Sequence, residues 1–296
     1  MPELPEVETV KNGLAKYLPK KKIASINFDW QKSFPNSTAD VESFLVGSEV
    51  VGLHRKGKAL IINLNSKYSL YVHLRMTGQL VYVPNIKDKV TNRFGAGHPN
   101  QSLVGKLPDK STRVTIEFMD GSNLYFNDQR KFGFVRLIPT VEIPNIDFIK
   151  KLGPEPLESS TTAEVFNQQL MKRKNSNIKA VILDQSVIAG IGNIYADESL
   201  WLAKINPNTI VNKLSLQKKN KLFTQIKEVL ELAINSGGST DKNYVNADGK
   251  KGSYLKFANV FRREGQPCKR CGTTILKIKV AGRGTHICPK CQKEIL

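Results

Sequence analysis

The chain has 296 residues, room for two domains and a small appended module. An apolar content of 40% excludes wholesale disorder, and no run is long and apolar enough to predict a bilayer span or a secretory signal. Lys plus Arg number 45 against 26 Asp plus Glu; the formal charge of +19 favours DNA or RNA as partner over an anionic membrane surface, with a generally lysine-coated surface as the plain alternative.

Val7, Val10, Leu14 and Leu18 form one stripe at helical spacing, which predicts a helix over 6–18. The period then falls to two. Residues 58–65, 68–74, 112–118, 123–127 and 132–138 read as strands, and Asp120-Gly121 marks a tight turn. Several short antiparallel strands predict a β-sandwich or flattened barrel with flanking helices. Residues 84–111 are rich in Asn, Gly, Pro and Lys and keep no period, so a long exposed loop or insertion is expected there. Pro139, Pro144, Pro154 and Pro156 give 139–160 the character of a linker. Helices follow. Thr161 and Glu164 have capping-box spacing ahead of Val165, Phe166 and Leu170. Short helices over 177–184 and 194–202 flank the glycine-punctuated segment 189–193. Residues 214–235 carry Leu222, Ile226, Val229, Leu230 and Ala233 on one side, and Gly237-Gly238 ends the helix. Residues 239–260 are polar and read as a second long loop. The class is α+β and multidomain.

All four cysteines lie in the last tenth of the chain, as Cys268-Lys269-Arg270-Cys271 and Cys288-Pro289-Lys290-Cys291. Two CxxC pairs sixteen residues apart fit a structural zinc site with no coordination position left for catalysis. Another tetrahedral metal or two disulfides are the rival readings; reduced thiolates in the cytoplasm suit the spacing better. Gly282-Arg283-Gly284-Thr285-His286 falls at a natural hairpin tip between the pairs. Arg283 there reaches a phosphate or is a solvated turn arginine, and His286 reads as structural.

Pro2 has a small side chain, which favours removal of Met1 and exposure of a secondary amine. An α-amine titrates near ~8, so an appreciable fraction is neutral at ordinary pH. It can attack an aldehyde-level carbon and form an iminium ion. Glu3 and Glu6 are available to move protons on a sugar or leaving group. The same glutamates suit the positive end of a helix dipole, and Met-Pro starts are common, so both readings stand on this segment alone.

The run Pro2-Glu3-Leu4-Pro5-Glu6-Val7-Glu8-Thr9, the Gly190–Tyr195 segment and the final zinc finger resemble, in that order, the formamidopyrimidine-DNA glycosylase family. The likeness runs from Met1 to Gln292. Leu4, Lys131 and residues 281–285 favour that branch over the related endonuclease VIII group, which prefers oxidised pyrimidines.

The resemblance implies that Pro2 attacks the sugar C1′ of a flipped damaged purine nucleotide, that Glu3 assists ring opening and proton transfer, and that Glu6 supports this machinery. Lys58, in Arg55-Lys56-Gly57-Lys58, matches the family's active-site lysine beside the lesion phosphate. Met76, in His73-Leu74-Arg75-Met76, would fill the gap left by the extruded base. Arg130 and Phe132 would complete that wedge, and His73 belongs to the same DNA-binding set. Inserted side chains can replace lost stacking and offset the cost of flipping. Asn193, in a helix–two-turns–helix motif, and Arg283 would clamp phosphates. The loop at 238–256 would cover the lesion.

Two departures stand out. Asp109-Lys110-Ser111-Thr112-Arg113 replaces a Lys-His-Asp-His-like stretch, and residues 85–110 add length. The resulting expectation is a catalytic β-domain over 1–138, a linker over 139–160, a helical DNA-binding domain over 161–260 and a zinc finger over 261–296. The implied activity is bifunctional base-excision repair. It removes 8-oxoguanine and formamidopyrimidines and cuts the abasic strand by β,δ-elimination through a Schiff base at Pro2. One structural zinc, no organic cofactor, damaged duplex DNA as partner, a monomer, and the bacterial cytoplasm at the nucleoid complete it. An oxidised-pyrimidine glycosylase and a non-catalytic DNA-binding relative are the alternatives.

Overall fold

Runs of period two build sheets in the first half of the chain, and runs of period 3.6 build helices in the second. The computed structural model describes residues 2–85, 93–98, 100–239 and 254–294. The chain divides into two units, Met1–Lys150 with Ser236–Ser253 and Lys151–Asn235 with Tyr254–Leu296.

In the first unit, α1 (Leu4–Leu14) precedes β1 (Ile23–Phe28), α2 (Thr38–Phe44), β2 (Val50–Lys56), β3 (Ala59–Leu64), β4 (Tyr68–His73), β5 (Gly78–Val83), β6 (Phe94–Gly97), β7 (Thr112–Phe118), β8 (Asn123–Asp128), β9 (Phe134–Pro139) and α3 (Asp147–Lys150). The strands form two sheets, ordered β1-β7-β8-β5-β6 and β2-β3-β4-β9. All neighbouring strands are antiparallel. Ile62, Leu70, Val72 and Val135 of the smaller sheet meet Leu80, Val114, Leu124 and Phe126 of the larger in one core, so the unit is a β-sandwich. Val7, Val10 and Leu14 of α1 join that core. The helix ends at Leu14, four residues before the predicted limit; Leu18 donates its N–H to Leu14 and is still fully buried.

The segment expected to be an exposed loop at 84–111 contains an edge strand. Phe94–Gly97 pairs with β5, and Phe94 is buried. Its sequence, Phe-Gly-Ala-Gly, is half glycine, which disfavours a strand; pairing and packing on α1 create it. Gly13 makes that contact possible, since a Cβ there would come within 1.9 Å of the Phe94 ring. Within 139–160, residues Thr140–Asn145 form a 3-10 turn leading into α3, and Ile143 packs with Ala59, Ile61 and Tyr71 of the first unit.

The second unit contains α4 (Ala163–Met171), α5 (Ile178–Leu183), α6 (Asn193–Leu202), α7 (Leu216–Asn235), α8 (Tyr254–Phe257), β10 (Leu276–Val280) and β11 (Arg283–Ile287). The cap of α4 is Thr162, whose hydroxyl accepts from Val165 N–H at 3.3 Å, and not Thr161 as the spacing predicts. The expected stripe of α7 is buried and packs in one core with α4, α5 and α6. β10 and β11 pair as a hairpin whose tip, Ala281-Gly282, has left-handed φ values of 48° and 76°, suited to a two-residue turn. Among the described residues no helix is long and apolar enough to cross a membrane.

Gly13→Ala tests the packing of β6 on α1. Helix propensity alone favours alanine by about 1 kcal/mol. The collision with Phe94 should reverse the sign, giving a net loss of about 1–3 kcal/mol in urea unfolding; a stabilised variant would show that Phe94 does not sit on the helix.

Candidate functional site

Pro2 is buried immediately ahead of α1, and Glu3 is the N-cap of that helix. Glu6, one turn on, uses its carboxylate as a bracket. One oxygen accepts from the Glu3 N–H at 2.8 Å, and the other accepts from the Ser239 N–H at 2.7 Å and its hydroxyl at 2.8 Å. Glu6 therefore ties the helix start to the segment that leads into the expected lesion-covering loop. That loop's residues 240–253 lie outside the described residues.

Lys58 is the second residue of the β2–β3 turn and is buried, at 5% exposure. A relay from α1 holds its turn. Glu8 takes a hydrogen bond from Arg55 Nε at 2.7 Å and pairs with Lys11, and Arg55 Nη1 donates to the Gly57 carbonyl at 3.0 Å. Burial works against the Glu8 charge, but the hydrogen bonds and charges of Lys11 and Arg55 outweigh it and hold the carboxyl below its usual range.

Register explains which groups share this end of the sandwich. Ala59 pairs with His73, and His73 pairs with Phe134, so one row crosses β3, β4 and β9. Lys58 immediately precedes that row. The connection holding Met76 follows it, and the one holding Arg130 and Phe132 runs into it. His73 is buried at 4% exposure, and its Nδ1 accepts from the Arg75 N–H at 3.1 Å. Burial first, then the charges of Arg75 and Lys58, pull its pKa down to about 3, so the ring is neutral at ordinary pH. Met76 is 38% and Phe132 54% exposed, so both side chains are open to a partner. The Arg130 guanidinium lies 4.7 Å from the centre of the Phe132 ring.

In the second unit, Asn193 begins α6 and donates from Nδ2 to the Gly284 carbonyl at 3.0 Å. The structure thus places Asn193 beside the finger hairpin, whose second strand begins at the exposed Arg283. A buried ion pair fixes that junction. Lys179 and Asp197 are 0% exposed and 2.6 Å apart; Lys179 also donates to the Thr285 hydroxyl at 2.6 Å. The other Asp197 oxygen accepts from the His286 N–H at 2.9 Å and lies 3.1 Å from its ring Nδ1, which gives His286 a structural place. The next residue, Glu198, accepts from the backbone N–H groups of Asn259, Val260 and Phe261 at 2.8–2.9 Å. Burial nevertheless raises its pKa, the hydrogen bonds opposing the rise.

The ligand atoms of Cys268, Cys271, Cys288 and Cys291 all lie within 4.8 Å of one another. Close Sγ pairs are 3.5–4.0 Å apart, too far for disulfides and near the ~3.8 Å edge of a tetrahedron with zinc–sulfur bonds of about 2.3 Å. The N–H groups of Arg270 and Cys291 point at the Cys268 and Cys288 sulfurs at 3.4 Å, which stabilises thiolates. The donor set fits one structural Zn2+ ion.

Sequence reading missed Glu8, Arg55, Asp128, Lys179, Asp197 and Glu198. Only Asp128 carries a local signal, an Asp opening a short turn that ends in glycine. The other partners lie far apart in the chain.

Known domain models match in the same order. They are the formamidopyrimidine-DNA glycosylase N-terminal domain over residues 1–135, the formamidopyrimidine-DNA glycosylase H2TH domain over 152–244, and a zinc finger found in FPG and IleRS over 265–293. The formamidopyrimidine-DNA glycosylase of Pediococcus pentosaceus is 41% identical over 292 residues, covering 99% of each chain. That of Latilactobacillus sakei is 39% identical over 293 residues, covering 99% of this chain and 98% of the other. A Lactococcus lactis Fpg structure with abasic-site DNA is similar at TM-score 0.85 and 35% identity, over 99% of this chain and 100% of that one. A complex of the same relative with DNA containing an oxidised pyrimidine has TM-score 0.83, 35% identity and the same coverage.

Unfolding returns His73 to an ordinary value near 6.5, so between there and about 3 the unfolded state binds more protons. Folded stability should therefore fall as pH drops through that window, by at most about 1.4 kcal/mol per pH unit from this group. His73→Gln should flatten that part of the urea-midpoint profile; an identical slope would remove the buried neutral histidine as its cause. Metal removal should strip hydrogen-exchange protection from 276–287 and weaken DNA binding. Full protection in metal-free protein would count against a structural ion.

Proposed function

The chain belongs to the formamidopyrimidine-DNA glycosylase family, and from that premise we propose a role for each side chain above. It is a bifunctional bacterial DNA glycosylase and abasic-site lyase acting on oxidised purines. The observation that supports the residue roles is the crowding of Lys58, His73, Met76 and the 129–133 connection around one row of paired strand ends, with α1 tied to the same end through Glu8 and Arg55.

Removal of Met1 exposes the Pro2 amine just ahead of α1, and its neutral form is the nucleophile. The Pro2 nitrogen bonds to C1′ as the glycosidic bond breaks and the oxidised purine leaves with a proton. Glu3 protonates the opening sugar ring, and an iminium ion remains. Loss of a C2′ proton then breaks the C3′–O bond, a second elimination breaks the C5′–O bond, and water hydrolyses the iminium, freeing the Pro2 amine and the unsaturated sugar remnant and leaving phosphate at both sides of a one-nucleoside gap. Glu6 acts by holding Glu3 and Ser239. Lys58 neutralises the phosphate beside the lesion, and His73, being neutral, is a hydrogen-bonding group beside the charges of Lys58 and Arg75. Met76, Arg130 and Phe132 fill the space vacated by the flipped nucleotide, while Asn193 and Arg283 grip the backbone. The zinc holds the finger hairpin and takes no part in bond making. The reading includes a monomer working in the cytoplasm at the nucleoid.

Borohydride reduction of the processed protein on an abasic duplex should give an adduct that mass spectrometry maps to Pro2. Protein whose first nitrogen is acylated should give none, and full strand cleavage by such protein would overturn the Schiff-base chemistry. Matched duplexes carrying 8-oxoguanine, a formamidopyrimidine or an oxidised pyrimidine set the lesion range, the purines being excised faster.

A further inference from the structure

Two connections cross from one sheet to the other at the same end of the sandwich. Residues 74–77 join β4 to β5, and residues 129–133 join β8 to β9. His73 pairs with Phe134 and Gly78 pairs with Asp128, so the two connections run side by side between the same pairs of strand ends. One carries Met76, the other Arg130 and Phe132.

The Asp128 carboxylate lies between them, fully buried. One oxygen takes the Thr77 hydroxyl and the Arg130 N–H, the latter at 3.1 Å. The other takes the N–H groups of Phe132 at 2.8 Å and Gly133 at 2.7 Å. Four donors on two oxygens use the full capacity of a carboxylate. We propose that Asp128 is the positioning residue of the wedge, presetting Met76 through Thr77 and Arg130 with Phe132 through their own backbone, so that both connections enter DNA as one rigid unit. The inference rests on the reading of those three side chains as the groups that enter the helix.

The surroundings make Asp128 a fixed point. Its N–H donates to Ser111 at 2.7 Å, and its carbonyl accepts from Arg113 Nε at 3.0 Å. Arg113 also pairs with Asp29 and donates to the Lys110 carbonyl. This arginine belongs to the stretch that departs from the family's histidine-containing pattern, and here it braces the wedge from behind. Lys131, between the two wedge residues, is held at φ 57° with its ammonium 4.7 Å from the Trp30 ring. A Cβ on Gly133 would lie 2.7 Å from Phe126 and 2.9 Å from the His73 carbonyl, so the second connection passes tightly against the base of the first. Exposed side chains on loose loops would lose conformational entropy on entering DNA; loops ordered during folding avoid that loss at the binding step.

Asp128→Ala and Asp128→Asn should slow single-turnover excision of 8-oxoguanine about 10- to 100-fold, as expected for displacing reacting geometry by an ångström. Extrusion, followed by 2-aminopurine fluorescence beside the lesion, should slow in step, and cleavage at a preformed abasic site should slow much less. Adding Asp128→Ala to a Met76→Ala, Phe132→Ala background should cause little further loss; independent, multiplying losses would overturn the inference. Should the Asp128 variants fail to fold, Thr77 decides: Thr77→Val should slow extrusion and Thr77→Ser restore it, and equal rates would sink the proposal. If Met76→Ala and Phe132→Ala themselves leave extrusion unchanged, the wedge reading fails with it. If they slow extrusion and folded Asp128→Ala does not, only the role of Asp128 fails.

Discussion

A carboxylate cut off from water is tolerated in a protein when hydrogen bonds replace the solvent it has lost, and leaving its lone pairs empty costs more than any one bond returns. That constraint recurs at several irregular segments of this molecule. Glu6 joins the helix start to Ser239. Asp128 gathers two connections. Asp197 and Glu198, adjacent on α6, hold the finger hairpin on one side and residues 259–261 on the other. Asp197 takes the Lys179 ammonium and one backbone N–H, but for Glu6, Asp128 and Glu198 the donors are mainly backbone N–H groups, so the carboxylate dictates the path of the chain.

Strand register supplies the second constraint. Side chains alternate strictly along a strand, so a slip of one residue in β4 would turn Leu70 and Val72 out of the core. Burial of that core therefore fixes which residues stand opposite one another at the strand ends, and the row Ala59, His73, Phe134 follows from it. The side chains proposed to act from the adjoining turns are thus positioned by apolar residues of the core, the usual division between a rigid scaffold and its loops.

Electrostatics act at two scales. The excess of cationic residues draws the protein to a polyanion at long range. Locally, burial keeps His73 neutral beside Lys58 and Arg75, so this cluster does not gather a third positive charge. The finger faces a different difficulty. Its cluster contains little beyond Trp201, Val260, Ile275 and the cysteines, too small a core to stand by itself. Metal coordination by four thiolates and the buried Lys179–Asp197 pair together give the hairpin a fixed base.

Local chemistry made the class of fold, the long strands, the helices of the second unit and the metal ligands readable in advance, because each depends on spacing along a short stretch: alternation over 112–118, a stripe over 214–235, two CxxC pairs. Resemblance supplied the candidate side chains, from Pro2 to Arg283. Tertiary structure alone decided how they are held. The edge strand at Phe94–Gly97 exists because β5 and α1 receive it, not because Phe-Gly-Ala-Gly favours a strand. Glu8 meets Arg55 across 47 residues, Thr77 meets Asp128 across 51, and Lys179 meets Thr285 across 106. No periodicity encodes such pairs. Their partners are chosen by which chain segments the two cores bring together, and a buried charge then accepts whichever donors lie within reach.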